Sequence, residues 1–105
     1  MSTFAVKADK FFLPGATSGP GYLLVEDGVF GHFTKEKPDC EIIDRTGSWV
    51  APGLVDTHIH GFLYHDIMDC DPDGVIEIAQ GLLSNGVTSW LPTTLTASVE
   101  QTGDA

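Results

Sequence analysis

The alternation of apolar and polar positions changes rhythm near residue 50. Before it, apolar residues come in short runs broken by turn formers. Gly21-Tyr22-Leu23-Leu24-Val25-Glu26 and Gly28-Val29-Phe30-Gly31-His32-Phe33 meet at Asp27-Gly28. Asp-Gly supplies the positive φ of a tight turn, so the two runs predict a β-hairpin. Further short strands are predicted over residues 3–7, 10–13, 41–44 and 48–50. Residues 14–20 read as a loop from their Pro, Gly and Ser content, and residues 35–39 as a charged loop. The first fifty residues thus predict a small antiparallel β domain, in which His32 is a strand residue rather than a ligand.

After Ala51-Pro52-Gly53 the period lengthens. Residues 54–60 read as a β-branched strand, followed by Gly61 and an acidic loop. Val75, Ile78, Ala79, Leu82 and Leu83 then recur at helical spacing and give one apolar face. Asp71 suits the N-cap, Pro72 the first helical position, and Asp73 the positive end of the helix dipole. Asn85-Gly86 ends that helix, since Gly tolerates the left-handed conformation that follows a last turn. Residues 87–91 predict another strand, closing at Pro92-Thr93-Thr94, and residues 96–104 a second helix with Thr96 or Ser98 near its cap. Strand, helix, strand, helix is the order of consecutive βα units, which implies a parallel sheet.

Composition narrows the partners. The chain has 105 residues, 42% of them hydrophobic, and a net charge of −10. That is enough for one globular domain, or a small domain with a piece of another. Only five side chains are basic, too few to neutralise a phosphate backbone or an anionic bilayer, so nucleic acid and membrane surfaces are excluded as expected partners. The charge is also lopsided. Residues 1–45 hold seven acids and all five bases, whereas residues 46–105 hold eight acids and no Lys or Arg. Such a stretch fits a segment whose positive partners lie elsewhere in a longer chain, in another subunit, or on metal ions. Cys40 and Cys70 form neither a disulfide framework nor a C-x-x-C pair and read as reduced thiols. The N-terminus lacks the basic and apolar regions of a signal peptide, and no apolar run approaches the roughly 20 residues of a membrane span. A cytoplasmic location is expected.

Among residues able to do chemistry, His58 and His60 lead. On a strand, residues i and i+2 share a face, so both imidazoles can converge on one ion. They close the first βα strand, where parallel α/β folds place their sites, and imidazole is the commonest neutral metal ligand. H-x-H alone is a weak signal, and two ligands do not complete a site that wants four. Asp56 is assigned to the opposite face, orienting backbone or a neighbouring strand. His65 and Asp66 are expected as solvated loop residues, and Trp90 as a core residue. Asp69-Cys70-Asp71-Pro72-Asp73-Gly74 matches the opening of an EF-hand loop, but its twelfth position is Gln80 and no helix precedes it, so helix capping is the simpler role. No local Cys–His or Ser–His arrangement suggests a nucleophile, and no Gly-rich loop suggests a phosphate cradle.

Taken together, Val50-Ala51-Pro52-Gly53-Leu54-Val55-Asp56-Thr57-His58-Ile59-His60-Gly61 resembles the signature of the metal-dependent amidohydrolase superfamily. The Asp27-Gly28 hairpin and Ile43-Asp44 with Gly47 resemble that superfamily's N-terminal β domain. His60-Gly61, Asp66, Met68-Asp69, Asn85-Gly86-Val87-Thr88-Ser89 and Leu91-Pro92-Thr93-Thr94 resemble, within it, the N-acetylglucosamine-6-phosphate deacetylase family. Tyr64 departs from the pattern, standing where many relatives have Gly. The resemblance implies an α/β fold in two parts. Residues 1–50 would be the N-terminal part of a small β-sandwich-like domain, and residues 51–105 the first two βα units of an incomplete (β/α)₈ barrel of TIM type. It implies a divalent metal (Zn, Fe or Mn) held by His58 and His60, and hydrolysis of the acetamide of an amino sugar phosphate to acetate and glucosamine 6-phosphate. The bridging Glu, the catalytic Asp and the phosphate-gripping residues would lie beyond residue 105, so no catalytic residue is assigned within the chain. As an N-terminal piece of such an enzyme it would be inactive alone and would self-associate. Two other readings fit the residues: another amidohydrolase such as a cyclic-amide hydrolase, and a non-enzymatic β/βα binding or assembly module.

Overall fold

The structure, a computed structural model, describes residues 2–105. Its contacts divide the chain into two compact units, Met1–Pro52 and Gly53–Ala105.

The first unit is built from seven strands. β1 (Thr3–Ala8), β4 (Gly21–Glu26), β5 (Val29–Thr34) and β6 (Glu41–Asp44) form one sheet in the order β5-β4-β1-β6. β2 (Lys10–Leu13), β3 (Ala16–Ser18) and β7 (Trp49–Val50) form a second, in the order β3-β2-β7. Only Asp9 separates β1 from β2, so the chain turns there from one sheet into the other. The β6–β7 connection makes the same turn alongside it. Asp9 fastens the corner: its N–H donates to the Ser48 carbonyl at 3.0 Å and its carboxylate accepts from the Gly47 N–H at 3.0 Å. Ala8, Phe11 and Leu23 form the buried core of this unit, with Leu13, Phe33 and Val50 packed against it. Phe11 is fully buried and lies 5.2 Å from the Phe33 ring, centroid to centroid. Burial of one such side chain contributes about 1.5–3 kcal/mol.

The predicted hairpin is present. Glu26 pairs with Val29, leaving Asp27 (φ 50°) and Gly28 (φ 79°) as the two turn residues. Two expectations fail. The domain is not purely antiparallel, because β6 returns parallel to β1 and β7 parallel to β2. Nor is the Pro14–Pro20 stretch all loop. Pro14-Gly15 is a two-residue turn with Gly15 at φ 71°, the pairing a type II turn demands, and β3 folds back along β2 from Leu13↔Ala16 to Phe11↔Ser18.

In the second unit β8 (Leu54–Ile59) and β11 (Val87–Pro92) run parallel, joined through helix α1 (Pro72–Ser84), and helix α2 (Val99–Asp104) follows β11. This is the expected alternation of βα units. Asp71 caps α1 by accepting from the Asp73 N–H at 3.1 Å, and Ser98 caps α2. Ile67, Ile78 and Leu82 form the core, against which Ile59, Phe62, Val75, Val87 and Trp90 pack. Leu83, expected on the apolar face, is instead exposed. The stretch after His60 is more ordered than a loop. β9 (Gly61–Phe62) and β10 (His65–Asp66) pair around Leu63 and Tyr64, followed by a single 3₁₀ turn, Ile67–Asp69. Among the described residues no helix is long and apolar enough to cross a membrane.

Candidate metal centre

His58 and His60 lie at the C-terminal end of β8 and meet as the strand period requires. Their Nε2 atoms are 3.1 Å apart and the rings are edge to face, with centroids 4.8 Å apart. Two imidazole nitrogens on one ion, each about 2.0–2.1 Å from it, stand roughly 2.9–3.4 Å apart for angles between a right angle and tetrahedral. The observed spacing falls inside that interval, so the separation of the two nitrogens matches that of a pair sharing a cation.

Hydrogen bonds aim the rings. His60 Nδ1 is 2.9 Å from the Thr93 carbonyl oxygen. A carbonyl only accepts, so the proton sits on Nδ1 and the Nε2 lone pair of neutral His60 faces His58. The His58 backbone N–H donates to Asp56 Oδ1 at 3.1 Å. Asp56 therefore orients backbone, but within its own strand. Its expected placement on the opposite face is wrong, because residues 56, 58 and 60 share one side of a strand of period two. Thr93, which the sequence marks as part of a strand end and of the Leu91-Pro92-Thr93-Thr94 run, makes three further bonds here. Its hydroxyl accepts from the Ile59 N–H at 3.1 Å and donates to the Leu91 carbonyl at 3.0 Å, and its own N–H donates to the Ile59 carbonyl at 2.9 Å.

The other candidates have partners of their own. His65 and Asp66 are in β10, not in a solvated loop. His65 Nε2 is 2.8 Å from Glu77 Oε2 on α1, and its ring lies so near Gly74 that an added Cβ would come within 2.7 Å of Nδ1. Asp66 accepts from the Met68 N–H at 2.8 Å and Asp69 from the Asp66 N–H at 2.9 Å, a reciprocal cap on the 3₁₀ turn. In the EF-hand-like run, the Asp69 and Asp71 carboxylates are thus engaged with local backbone. Among the described residues no group of three or more His, Cys, Asp or Glu is arranged to hold a metal. Chemically, the site sets two imidazole Nε2 atoms side by side, with the direction of the His60 ring fixed by the Thr93 carbonyl.

Comparison with known proteins finds amino sugar phosphate deacetylases over the longer stretches and, over 45 residues at 42% identity, 5-methylthioadenosine/S-adenosylhomocysteine deaminase of Bacillus cytotoxicus, covering 38% of this chain and 10% of that protein. No family model matches the chain. It is 37% identical over 75 residues to N-acetylgalactosamine-6-phosphate deacetylase of Escherichia coli O157:H7, covering 71% of this chain and 19% of that protein. It is 34% identical over 80 residues to N-acetylglucosamine-6-phosphate deacetylase of Bacillus subtilis (strain 168), covering 72% and 20%. The chain therefore spans about a fifth of the length of the curated relatives it matches. Among solved structures, N-acetyl-D-glucosamine-6-phosphate deacetylase of Mycobacterium smegmatis, a variant in complex with N-acetyl-D-glucosamine-6-phosphate, superposes with a TM-score of 0.81. That match covers 96% of this chain and 27% of the other at 21% identity, and so speaks to the fold alone.

Proposed function

We propose that this chain, which resembles the N-terminal portion of the N-acetylated amino sugar 6-phosphate deacetylases, supplies the opening β strands and the first metal-binding pair of such an enzyme. The observation that carries this reading is the His58/His60 nitrogen pair, 3.1 Å apart, at the C-terminal end of a parallel βα strand. That end of the strands is where (β/α)₈ barrels hold their chemistry, so β8-α1-β11-α2 is read as the first two of eight βα units. The substrate class is an amino sugar phosphate whose acetamide is hydrolysed, giving acetate and the free amine.

A divalent metal of the Zn, Fe or Mn kind would supply Lewis acidity toward water and the amide carbonyl. The chain's own contribution is orientation. His60 holds its proton on Nδ1 against Thr93, which keeps Nε2 free to ligate. His58 would carry its single proton on Nδ1 instead of between the two rings, the tautomer that leaves its Nε2 free to ligate. Asp56, bonded to the His58 N–H, steadies the strand beneath them. No Lys or Arg in residues 46–105 is available for the phosphate, so its partners belong to other parts of the enzyme.

Two donors do not make a catalytic site, which takes three protein ligands and an open position. The 105 residues alone are expected to release no acetate from N-acetylglucosamine 6-phosphate or N-acetylgalactosamine 6-phosphate, with Zn²⁺ or Mn²⁺ added. A chain extended to the length of its relatives is expected to release it from at least one. Acetate from the short chain would contradict the first expectation; none from the extended chain would overturn the deacetylase reading. In the extended chain, His58→Ala with His60→Ala should lower the bound metal per protein, and unchanged stoichiometry would remove their ligand role.

A further inference from the structure

Among the described residues around the two histidines, only residue 93 touches the strand end with its N–H, its carbonyl and its side chain together. We infer that Thr93 is the positioning residue of the site: it selects the His60 tautomer and holds the imidazole so that Nε2 faces His58. The inference deepens the metal reading above and rests on it only for its consequence, not for the geometry.

β11 ends at Pro92, whose register partner on β8 is Ile59. Thr93 is thus the first residue past the ladder, and its backbone is no longer fixed by strand pairing. Two bonds to Ile59 replace that pairing, one from the Thr93 N–H and one to the Thr93 hydroxyl. The hydroxyl also donates to the Leu91 carbonyl, which closes a small turn and sets the direction of the residue 93 peptide. With the peptide so fixed, its carbonyl points at His60 Nδ1 from 2.9 Å. Neutral imidazole carries one N–H, and placing it on Nδ1 leaves the other nitrogen as the donor atom for an ion. A hydrophobic residue of the same shape would keep the packing of Thr93 but release the Ile59 N–H and loosen the aim of the carbonyl.

The test is a long-range ¹H–¹⁵N correlation on the imidazoles of the labelled chain, at a pH where histidine is neutral, with Zn²⁺ titration alongside. In the wild type His60 is expected as the Nδ1–H tautomer, with a scalar coupling across the hydrogen bond from Nδ1 to the Thr93 carbonyl carbon. Thr93→Ser should keep both that tautomer and the wild-type Zn²⁺ affinity. Thr93→Val should shift population toward Nε2–H and weaken Zn²⁺ binding about 10–100-fold, the usual effect of removing a group that orients a ligand. A wild-type His60 protonated on Nε2, or a Val variant with wild-type tautomer and affinity, overturns the inference. If the Val variant does not fold, the coupling in the wild type decides, and its absence is fatal. A wild type that shows the tautomer and the coupling yet takes up no Zn²⁺ supports the role of Thr93 and sinks the metal reading instead.

Discussion

Asp44 illustrates how much a single exposed carboxylate can be conditioned by its neighbours. Its Oδ1 accepts from the Thr46 hydroxyl at 2.5 Å and from the Thr46 N–H at 2.8 Å, while Oδ2 lies 3.2 Å from Lys7 Nζ across the β1–β6 ladder. These bonds favour the charged form and hold its pKa at about 2, the Thr46 hydroxyl being the largest influence and Lys7 a smaller one. A carboxylate with a depressed folded pKa contributes stability above its unfolded pKa and loses it as pH falls through the folded value. Stability should therefore decline between about pH 4 and pH 2. Denaturant titrations across that window should show a shallower decline for Asp44→Asn. By NMR titration Thr46→Ala should raise the Asp44 pKa more than Lys7→Met does; the reverse order would mean that the ion pair dominates. The same scale explains what the sequence disclosed of the metal centre. His58 and His60 are legible because the strand period is local, two residues apart. Thr93 is not, because it acts through a carbonyl and a hydroxyl brought to the histidines from 33 residues away. Its only trace is its place in the Leu91-Pro92-Thr93-Thr94 run.

Elements were readable where a local device fixes them and opaque where a neighbour does. The Asp27-Gly28 turn, the Asp71 and Ser98 caps and the Gly86 stop at φ 85° are written in the residues that form them. β3 and the β9–β10 hairpin are not, since three- and two-residue strands exist only by pairing. The latter hairpin turns through Leu63 (φ 53°) and Tyr64 (φ 67°), side chains that carry no turn signal. What holds it is α1, and Gly81 is one point of contact, beside the His65–Glu77 bond. A Cβ there would stand 2.6 Å from Leu63 Cδ1 and 2.9 Å from Phe62 Cε1. Gly→Ala inside an exposed helix ordinarily stabilises by about 1 kcal/mol. Gly81→Ala should instead destabilise, because the methyl must displace the Phe62 ring as well as the end of Leu63. Gly103→Ala, with nothing within 4 Å of the added methyl, should be neutral or stabilising. Thermal melts of the two variants check this, and a Gly81→Ala protein at least as stable as wild type would show that the hairpin yields freely. Asp71→Ala should cost about 1 kcal/mol through the lost cap, without altering the β9–β10 pairing.

At the scale of the molecule, the second unit exposes what parallel sheets ordinarily hide. Such sheets are covered on both faces and flanked by further strands. Here β8 and β11 form a sheet of two, and Leu54, Val55 and Leu91 on them are 61%, 65% and 58% exposed. Unpaired strand edges with apolar side chains favour pairing with another chain. Charge opposes it, because residues 53–105 carry eight acids and no Lys or Arg. The two effects differ in their response to salt. Repulsion between exposed carboxylates is screened beyond about 8 Å at physiological ionic strength and more closely at higher salt, whereas apolar contact is not weakened by it. The 105-residue chain is therefore expected to self-associate in sedimentation velocity, with an average mass that rises both with protein concentration and with added NaCl. Val55→Lys, which puts a charge on the exposed edge strand, should shift the balance back toward monomer. A boundary that stays monomeric at every concentration and salt level would show that the edges are protected. Association that weakened with salt would mean that ion pairs from the five Lys and Arg of the first unit hold the copies together, and would move the contact away from the β8–β11 sheet.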